Sequence, residues 1–277
     1  MPELTAEGRP AGVLAGRPDS FPAAKAAGKR IVMVAAYDAW SAALLSGTSV
    51  DCILVGDSVM MVAHGEKDTL GATVPIMSLH TRAVSRGAPG KFIVADMPFL
   101  SARKGEAFAL DSAAELLRAG AHAVKIEGAQ GHVHVVRHLV ESGIPVMGHL
   151  GLTPQWVRGL GGFRVQARDE AAAGQLREDA AALEQAGAFA IVLECIPEAL
   201  AREATAALRI PTIGIGAGAG CDGQVLVLHD ILGLSPDFQP RFARRFAAGA
   251  AVVRNAAEGF AKAVRDGEFP SPGETFP

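Results

Sequence analysis

Four acidic residues follow four short apolar runs in the same way: Asp57 after Cys52–Gly56, Asp96 after Phe92–Ala95, Glu127 after Ala123–Ile126 and Glu194 after Ala190–Leu193. Runs of that length, rich in Ile, Leu and Val and bounded by turn residues, read as strands buried on both faces. Such strands build parallel sheets, whose ligand sites gather at the carboxyl ends. The same ends present Tyr37, Ser58, Lys125 and His149. Lys125 and Glu127 stand two apart and so share one face of their strand.

Asp57, Asp96 and Glu127 come from neighbouring strands and would crowd in a partly dry site. Like charges that close raise one another's pKa unless a cation neutralises them. Two readings are open. One is a hard divalent metal with oxygen ligands; Mg²⁺ takes few carboxylates and keeps positions for water or substrate. The other is a set of salt bridges to Lys125 and nearby arginines. Glu194 stands two strands further round, where it suits proton abstraction; its plain alternative is an exposed loop acid. A metal with a separate base points to removal of a proton next to a carbonyl.

The elements that must position these residues follow from the pattern of apolar runs. Strands are expected at Ile31–Ala36, Cys52–Gly56, Phe92–Ala95, Ala123–Ile126, Pro145–Gly148, Ala190–Leu193, Thr212–Ile215 and Gln224–Leu228. Helices are expected at Ala39–Ser46, Val74–Arg86, Gly105–Ala119, Val133–Glu141, Glu170–Ala186, Pro197–Leu208 and 239–266. Strands alternating with helices in this way give an α/β (β/α)8 TIM barrel. Too few residues separate Ile215 from Val225 for an ordinary crossover, so the seventh helix is shortened. A doubly wound sheet is the alternative. Residues 1–22, with four prolines and three glycines, read as a mobile leader, and 23–277 as a single barrel domain. The Gly-rich stretch Gly151–Arg168 has no periodicity, and loops of that length are usually functional.

Composition narrows the class. A net charge of −3 offers no electrostatic footprint for nucleic acid. No apolar run is long enough to span a membrane and no signal-peptide core is present, so a cytoplasmic protein is expected. Cys52, Cys195 and Cys221 have no zinc or disulfide spacing, and Cys52 and Cys195, in apolar strand-like runs, read as small core residues. Gly214–Gly220 lacks the dinucleotide fingerprint and reads as a place where backbone passes close to a neighbour. His132, His134 and His138 read as an outer helix surface. Arg241, Arg244 and Arg245 read as a solvated face of the last helix.

Longer motifs add a resemblance. They include Leu54-Val55-Gly56-Asp57-Ser58, Ala95-Asp96-Met97-Pro98-Phe99, Val124-Lys125-Ile126-Glu127-Gly128, Gly148-His149-Leu150-Gly151-Leu152-Thr153-Pro154-Gln155, Leu193-Glu194-Cys195-Ile196-Pro197 and Asp222-Gly223-Gln224-Val225-Leu226-Val227. In these and others, in order from about residue 25 to 265, the chain resembles the ketopantoate (3-methyl-2-oxobutanoate) hydroxymethyltransferases. The resemblance implies a barrel of the phosphoenolpyruvate/pyruvate superfamily, assembled as a homo-oligomeric decamer. It implies Mg²⁺ and transfer of a hydroxymethyl group from 5,10-methylenetetrahydrofolate to 3-methyl-2-oxobutanoate in pantothenate synthesis. By position, Asp57, Asp96 and Glu127 match the metal contacts, and Ser58 and Lys125 match residues that hold the 2-oxo acid. Glu194 matches the general base, and His149 and Tyr37 match polar residues of the same site. The chain departs from the pattern at Met60, Gly71-Ala72, Leu79, Phe163 and Ala167, which bear on the substrate side chain and the folate pocket. A C–C lyase or mutase of the same superfamily, acting on another 2-oxo acid without folate, is the alternative, and a non-catalytic barrel is a further one.

Overall fold

A computed structural model describes residues 16–236 and 239–276. The elements run α1 (Ser20–Ala26), β1 (Ile31–Ala35), α2 (Ala39–Ser46), β2 (Cys52–Val55), α3 (Val59–Val62), α4 (Val74–Gly87), β3 (Phe92–Asp96), α5 (Glu106–Arg118), β4 (Ala123–Glu127), α6 (Val133–Glu141) and β5 (Val146–Gly151). A 3-10 turn, Pro154–Trp156, leads into α7 (Val157–Leu160) and α8 (Glu170–Gln185). Then come β6 (Ala190–Glu194), α9 (Glu198–Ala207), β7 (Thr212–Ile215), β8 (Gly223–Val227), α10 (Leu228–Leu232) and α11 (Gly249–Arg265). The strands close into a parallel barrel in sequence order. The described residues form two compact units, divided between Leu226 and Val227.

The strands are apolar because they are covered on both faces. Every residue of β2, β3 and β4 is buried. Helices α2, α4 and α8 begin where a polar side chain caps the first turn. Asp38 accepts from Ser41 N at 2.8 Å and starts α2; Asp169 accepts from Ala172 N at 2.9 Å and starts α8. Asp38, three residues past the end of β1, is therefore occupied as a cap.

Among the boundaries that differ from the sequence expectation, three change a reading. The leader assigned to residues 1–22 ends inside the fold: residues 1–15 lie outside the described residues, but α1 starts at Ser20 and Phe21 is fully buried. Phe21 packs edge-on against Phe92 and Phe189, with centroids 5.2 and 4.8 Å away. The last helix begins at Gly249, not at 239. In the segment before it, Phe246 N is hydrogen bonded to Ile231 O and Ala243 N to Pro240 O, which leaves them no part in a helical ladder. Arg241, Arg244 and Arg245 precede α11 and are not on it. Finally, β5 runs on to Gly151, which puts His149 within the strand.

Between β7 and β8 there is no helix. The glycine run there passes against α9: a Cβ on Gly218, whose φ is +80°, would lie 2.3 Å from Glu198 Cγ.

Candidate active site

Strand register puts the polar residues in one row. Asp96 is the register partner of Lys125, Glu127 of His149, and Gly151 of Glu194. Register partners in a parallel sheet point to the same face, and residues two apart share it. Lys125 and Glu127 thus carry Asp96 and His149 with them. All four are buried, as are Asp57 and Tyr37.

The cluster is tightly linked. Lys125 Nζ lies 3.1 Å from Asp96 Oδ1, 4.0 Å from Glu127 Oε1 and 3.1 Å from His149 Nδ1. His149 Nε2 is 3.1 Å from Glu194 Oε2. Glu194 keeps 16% side-chain exposure, so it stands at the edge of the cluster rather than on an exposed loop. Asp57 N donates to Asp96 Oδ2 at 3.0 Å. Tyr37 OH and Ser58 Oγ are 2.8 Å apart.

Electrostatics follow from burial. Asp57 is pushed well up, first by desolvation and then by Asp96 and Glu127. Burial also raises Asp96, although Lys125 opposes it. Burial would raise Glu127 too, but His149, Lys125 and the Gln155 backbone amide outweigh it and hold it down. Desolvation disfavours the Lys125 ammonium, yet the surrounding carboxylates overcome that and raise its pKa. His149 is raised in the same way: its hydrogen bonds to Glu127 and Glu194 outweigh burial and the Lys125 charge.

Among the described residues no three His, Cys, Asp or Glu side chains form a preformed metal cage. Lys125 stands between Asp96 and Glu127, so the ion pairs to Lys125 weighed in the sequence are present. Asp57 and Asp96 remain adjacent without an ammonium between them.

Gln155 is the site residue that residue-by-residue reading does not single out. Its side chain donates to Asp57 Oδ2 at 2.8 Å and to Met97 O at 2.9 Å, and its backbone N donates to Glu127 Oε2 at 3.0 Å. The signals in the sequence are that Gln155 lies in the long stretch Gly151–Arg168 and closes the motif Gly148–Gln155. Met60 lies in α3, directly after the Asp57-Ser58 turn, and is buried. Its terminal methyl sits against Gly71, where a Cβ would be 3.3 Å from Met60 Cε. Two departures from the family pattern therefore meet each other.

Comparison with known proteins decides the lineage. A family model described as ketopantoate hydroxymethyltransferase matches residues 17–272. The chain is 50% identical over 248 residues to the 3-methyl-2-oxobutanoate hydroxymethyltransferase of Bdellovibrio bacteriovorus, covering 90% of this chain and 94% of that one. The Coxiella burnetii enzyme of the same name is 51% identical over 243 residues, covering 87% and 91%.

The chain belongs to the ketopantoate hydroxymethyltransferase family.

Solved structures extend the fold further. Phosphonopyruvate hydrolase, in a complex with oxalate and Mg²⁺, aligns with a TM-score of 0.61 at 14% identity, over 93% of this chain and 92% of that one. A 2,3-dimethylmalate lyase of the PEP mutase/isocitrate lyase superfamily aligns at 0.59 and 17%, over 94% and 92%. At such identity the likeness concerns the barrel alone. Within this family member, the closed barrel expected from the alternating runs is the one observed.

Proposed function

We propose that the chain transfers a hydroxymethyl group from 5,10-methylenetetrahydrofolate to 3-methyl-2-oxobutanoate, giving 2-dehydropantoate for pantothenate and coenzyme A synthesis. The observation that carries this reading is the buried cluster of Asp57, Asp96, Glu127, Lys125 and His149 with Glu194 at its edge. Three buried carboxylates face one ammonium and one imidazole, so the pocket is short of positive charge. Burial first, and neighbouring carboxylates second, raise the pKa values of Asp57 and Asp96. A hard divalent cation fits this donor set, and Mg²⁺ needs only one or two carboxylates because it keeps several waters. Asp57 and Asp96 would hold it, with Glu127 as a third contact, directly or through water.

When bound, the cation draws electrons from the ketone and makes the neighbouring C3 hydrogen more acidic. The chain's own residues do the rest. Lys125, kept charged by its acids, and the Ser58 hydroxyl, held by Tyr37, bind the 2-oxo acid. Glu194 takes the C3 proton, directly or through a water, and His149 Nε2 orients its carboxylate. The C3 carbon then forms a bond to the carrier's one-carbon unit; the two C–N bonds from that unit to the carrier break, the carrier's nitrogens take up the C3 proton and one proton of water, and the water's hydroxyl completes the hydroxymethyl group. The homo-oligomeric state, a decamer by resemblance, and a cytoplasmic setting belong to the same reading. Support for assembly comes from α11, an amphipathic helix with no buried residue. Among the described residues no helix is long and apolar enough to cross a membrane.

The test is incubation of the protein with 3-methyl-2-oxobutanoate, methylenetetrahydrofolate and Mg²⁺. Formation of 2-dehydropantoate is expected; its absence from folded protein beside a working control enzyme would sink the reading. Turnover of 2-oxo acids that never needs folate would instead favour the lyase or mutase. Exchange of the C3 hydrogen into D₂O should be Mg²⁺-dependent. Glu194→Gln should lower it by about 10²–10⁴-fold, the usual weight of a general base, and an unchanged rate contradicts the assignment.

A further inference from the structure

Each of the three clustered carboxylates has one oxygen tied back to a protein N–H. Asp57 Oδ2 accepts from Gln155 Nε2 at 2.8 Å, Asp96 Oδ2 from Asp57 N at 3.0 Å, and Glu127 Oε2 from Gln155 N at 3.0 Å. Two of these ties come from one residue. The opposite oxygens, Asp96 Oδ1 and Glu127 Oε1, are buried without a well-directed hydrogen-bond donor. Their charge partners are the Lys125 ammonium, 3.1 and 4.0 Å away, and, for Glu127, His149 at 3.4 Å. The cluster is thus divided into oxygens that the chain fixes and oxygens that it leaves open to another partner.

Gln155 is held where it can impose that division. It is buried on the turn Pro154–Trp156, which Trp156 N closes by donating to Thr153 O at 2.8 Å. Its amide nitrogen carries two hydrogens and meets two acceptors, Asp57 Oδ2 and Met97 O, which settles the orientation of the amide. A carboxylate grips a cation with both oxygens only when both turn toward one point. With Oδ2 held to Gln155, Asp57 offers a single oxygen, and the Gln155 backbone N–H restrains Glu127 in the same way. Mg²⁺ accepts such one-oxygen carboxylates and completes its octahedron with water, whereas Ca²⁺ takes about 6–8 oxygens and readily uses both of one carboxylate.

We propose that Gln155 is a positioning residue that sets the cation preference of the site: its side chain keeps Asp57 to one available oxygen and so favours a small octahedral cation over Ca²⁺. The inference rests on the reading above that the acid cluster holds a hard divalent cation. Gln155 acts through Asp57, as partners behind a metal ligand do. Without its amide, Asp57 is free to turn and present both oxygens. That adds a ligand for Ca²⁺ and none that Mg²⁺ can use.

Gln155→Met keeps the length of the side chain and removes both donors. The full chain, freed of divalent cations with a chelator, is titrated calorimetrically with Mg²⁺ and, separately, with Ca²⁺; circular dichroism checks the fold. Wild type should bind Mg²⁺ more tightly than Ca²⁺. In Gln155→Met, Mg²⁺ affinity should fall about 10–100-fold, the usual weight of a residue behind a metal ligand, and Ca²⁺ affinity should fall less or rise, so that their ratio shifts by about tenfold. If the methionine variant does not fold, Gln155→Ala is read in the same way. A parallel fall in both affinities overturns the proposal, because a merely structural role weakens both alike. A wild type that binds Ca²⁺ as tightly as Mg²⁺, or binds neither, overturns it without any variant. The titrations contain no 2-oxo acid and no carrier, so the two readings fail separately. A shifted ratio in a protein that makes no 2-dehydropantoate leaves Gln155 in this role and defeats the proposed function; an unshifted ratio in a protein that makes it does the reverse.

Discussion

Gln155 joins two carboxylates of different strands, through its side chain to Asp57 and through its backbone to Glu127. Gln155→Ala keeps the backbone bond but leaves Asp57 Oδ2 and Met97 O without this donor. An unsatisfied buried acceptor costs about 1–3 kcal/mol, so denaturant unfolding should report a loss of that size; a change within error would place Gln155 outside the network. Asp57 and Asp96 carry the pH dependence. Their folded pKa values are raised, so the folded state binds these protons more tightly than the unfolded chain. By linkage, their contribution to stability is greatest at low pH and is lost as pH rises from the unfolded value, about 3.9 for Asp, through the raised folded values. A divalent cation must displace the same protons, so its affinity should rise with pH and its binding should release protons. Calorimetry in two buffers of different ionisation heat measures that release. Identical heats under mildly acidic conditions would show that these carboxylates are not the ligands.

At the scale of elements, Gly151 is where β5 and β6 approach too closely for a side chain. Its φ is +94° and a Cβ there would lie 2.2 Å from the Glu194 carbonyl oxygen. Gly151→Ala should therefore cost about 1–3 kcal/mol in strain and push Glu194 out of line with His149. Thermal unfolding and C3 exchange should fall together; retention of both would mean that the two strands can separate there freely. The loop after β5 also shows how far patterns reach. The sequence marks Gly151–Arg168 as a functional stretch, but the contact of Gln155 with two acids depends on the turn Pro154–Trp156, which no periodicity announces. The start of α11 was illegible for a related reason. Helical propensity extends back to residue 239, while backbone hydrogen bonds to Ile231 and Pro240 hold part of the segment outside a helix.

At the scale of the molecule, α11 exposes Val252, Val253, Phe260 and Val264, with Val252 at 66% and Phe260 at 58%. An apolar stripe on a long helix marks an interaction surface. Sedimentation velocity should find a homo-oligomer, and Val253→Glu with Phe260→Glu should shift it to smaller species; a wild-type monomer would refute assembly. The barrel itself was readable from the chain, because buried parallel strands must be apolar throughout and each ends at a turn. That rule alone located Asp57, Asp96, Glu127 and Glu194, and the two-residue period put Lys125 on the same face as Glu127. Only tertiary structure decided what these groups do to one another. Register between strands, which no local pattern fixes, placed Lys125 between Asp96 and Glu127 and set His149 against Glu194. It also brought Arg103, Trp156 and Asp179, distant in the chain, around one cavity. The sequence by itself determined which side chains stand at the barrel mouth; burial and register, which exist only in the folded chain, decided their charges and partners.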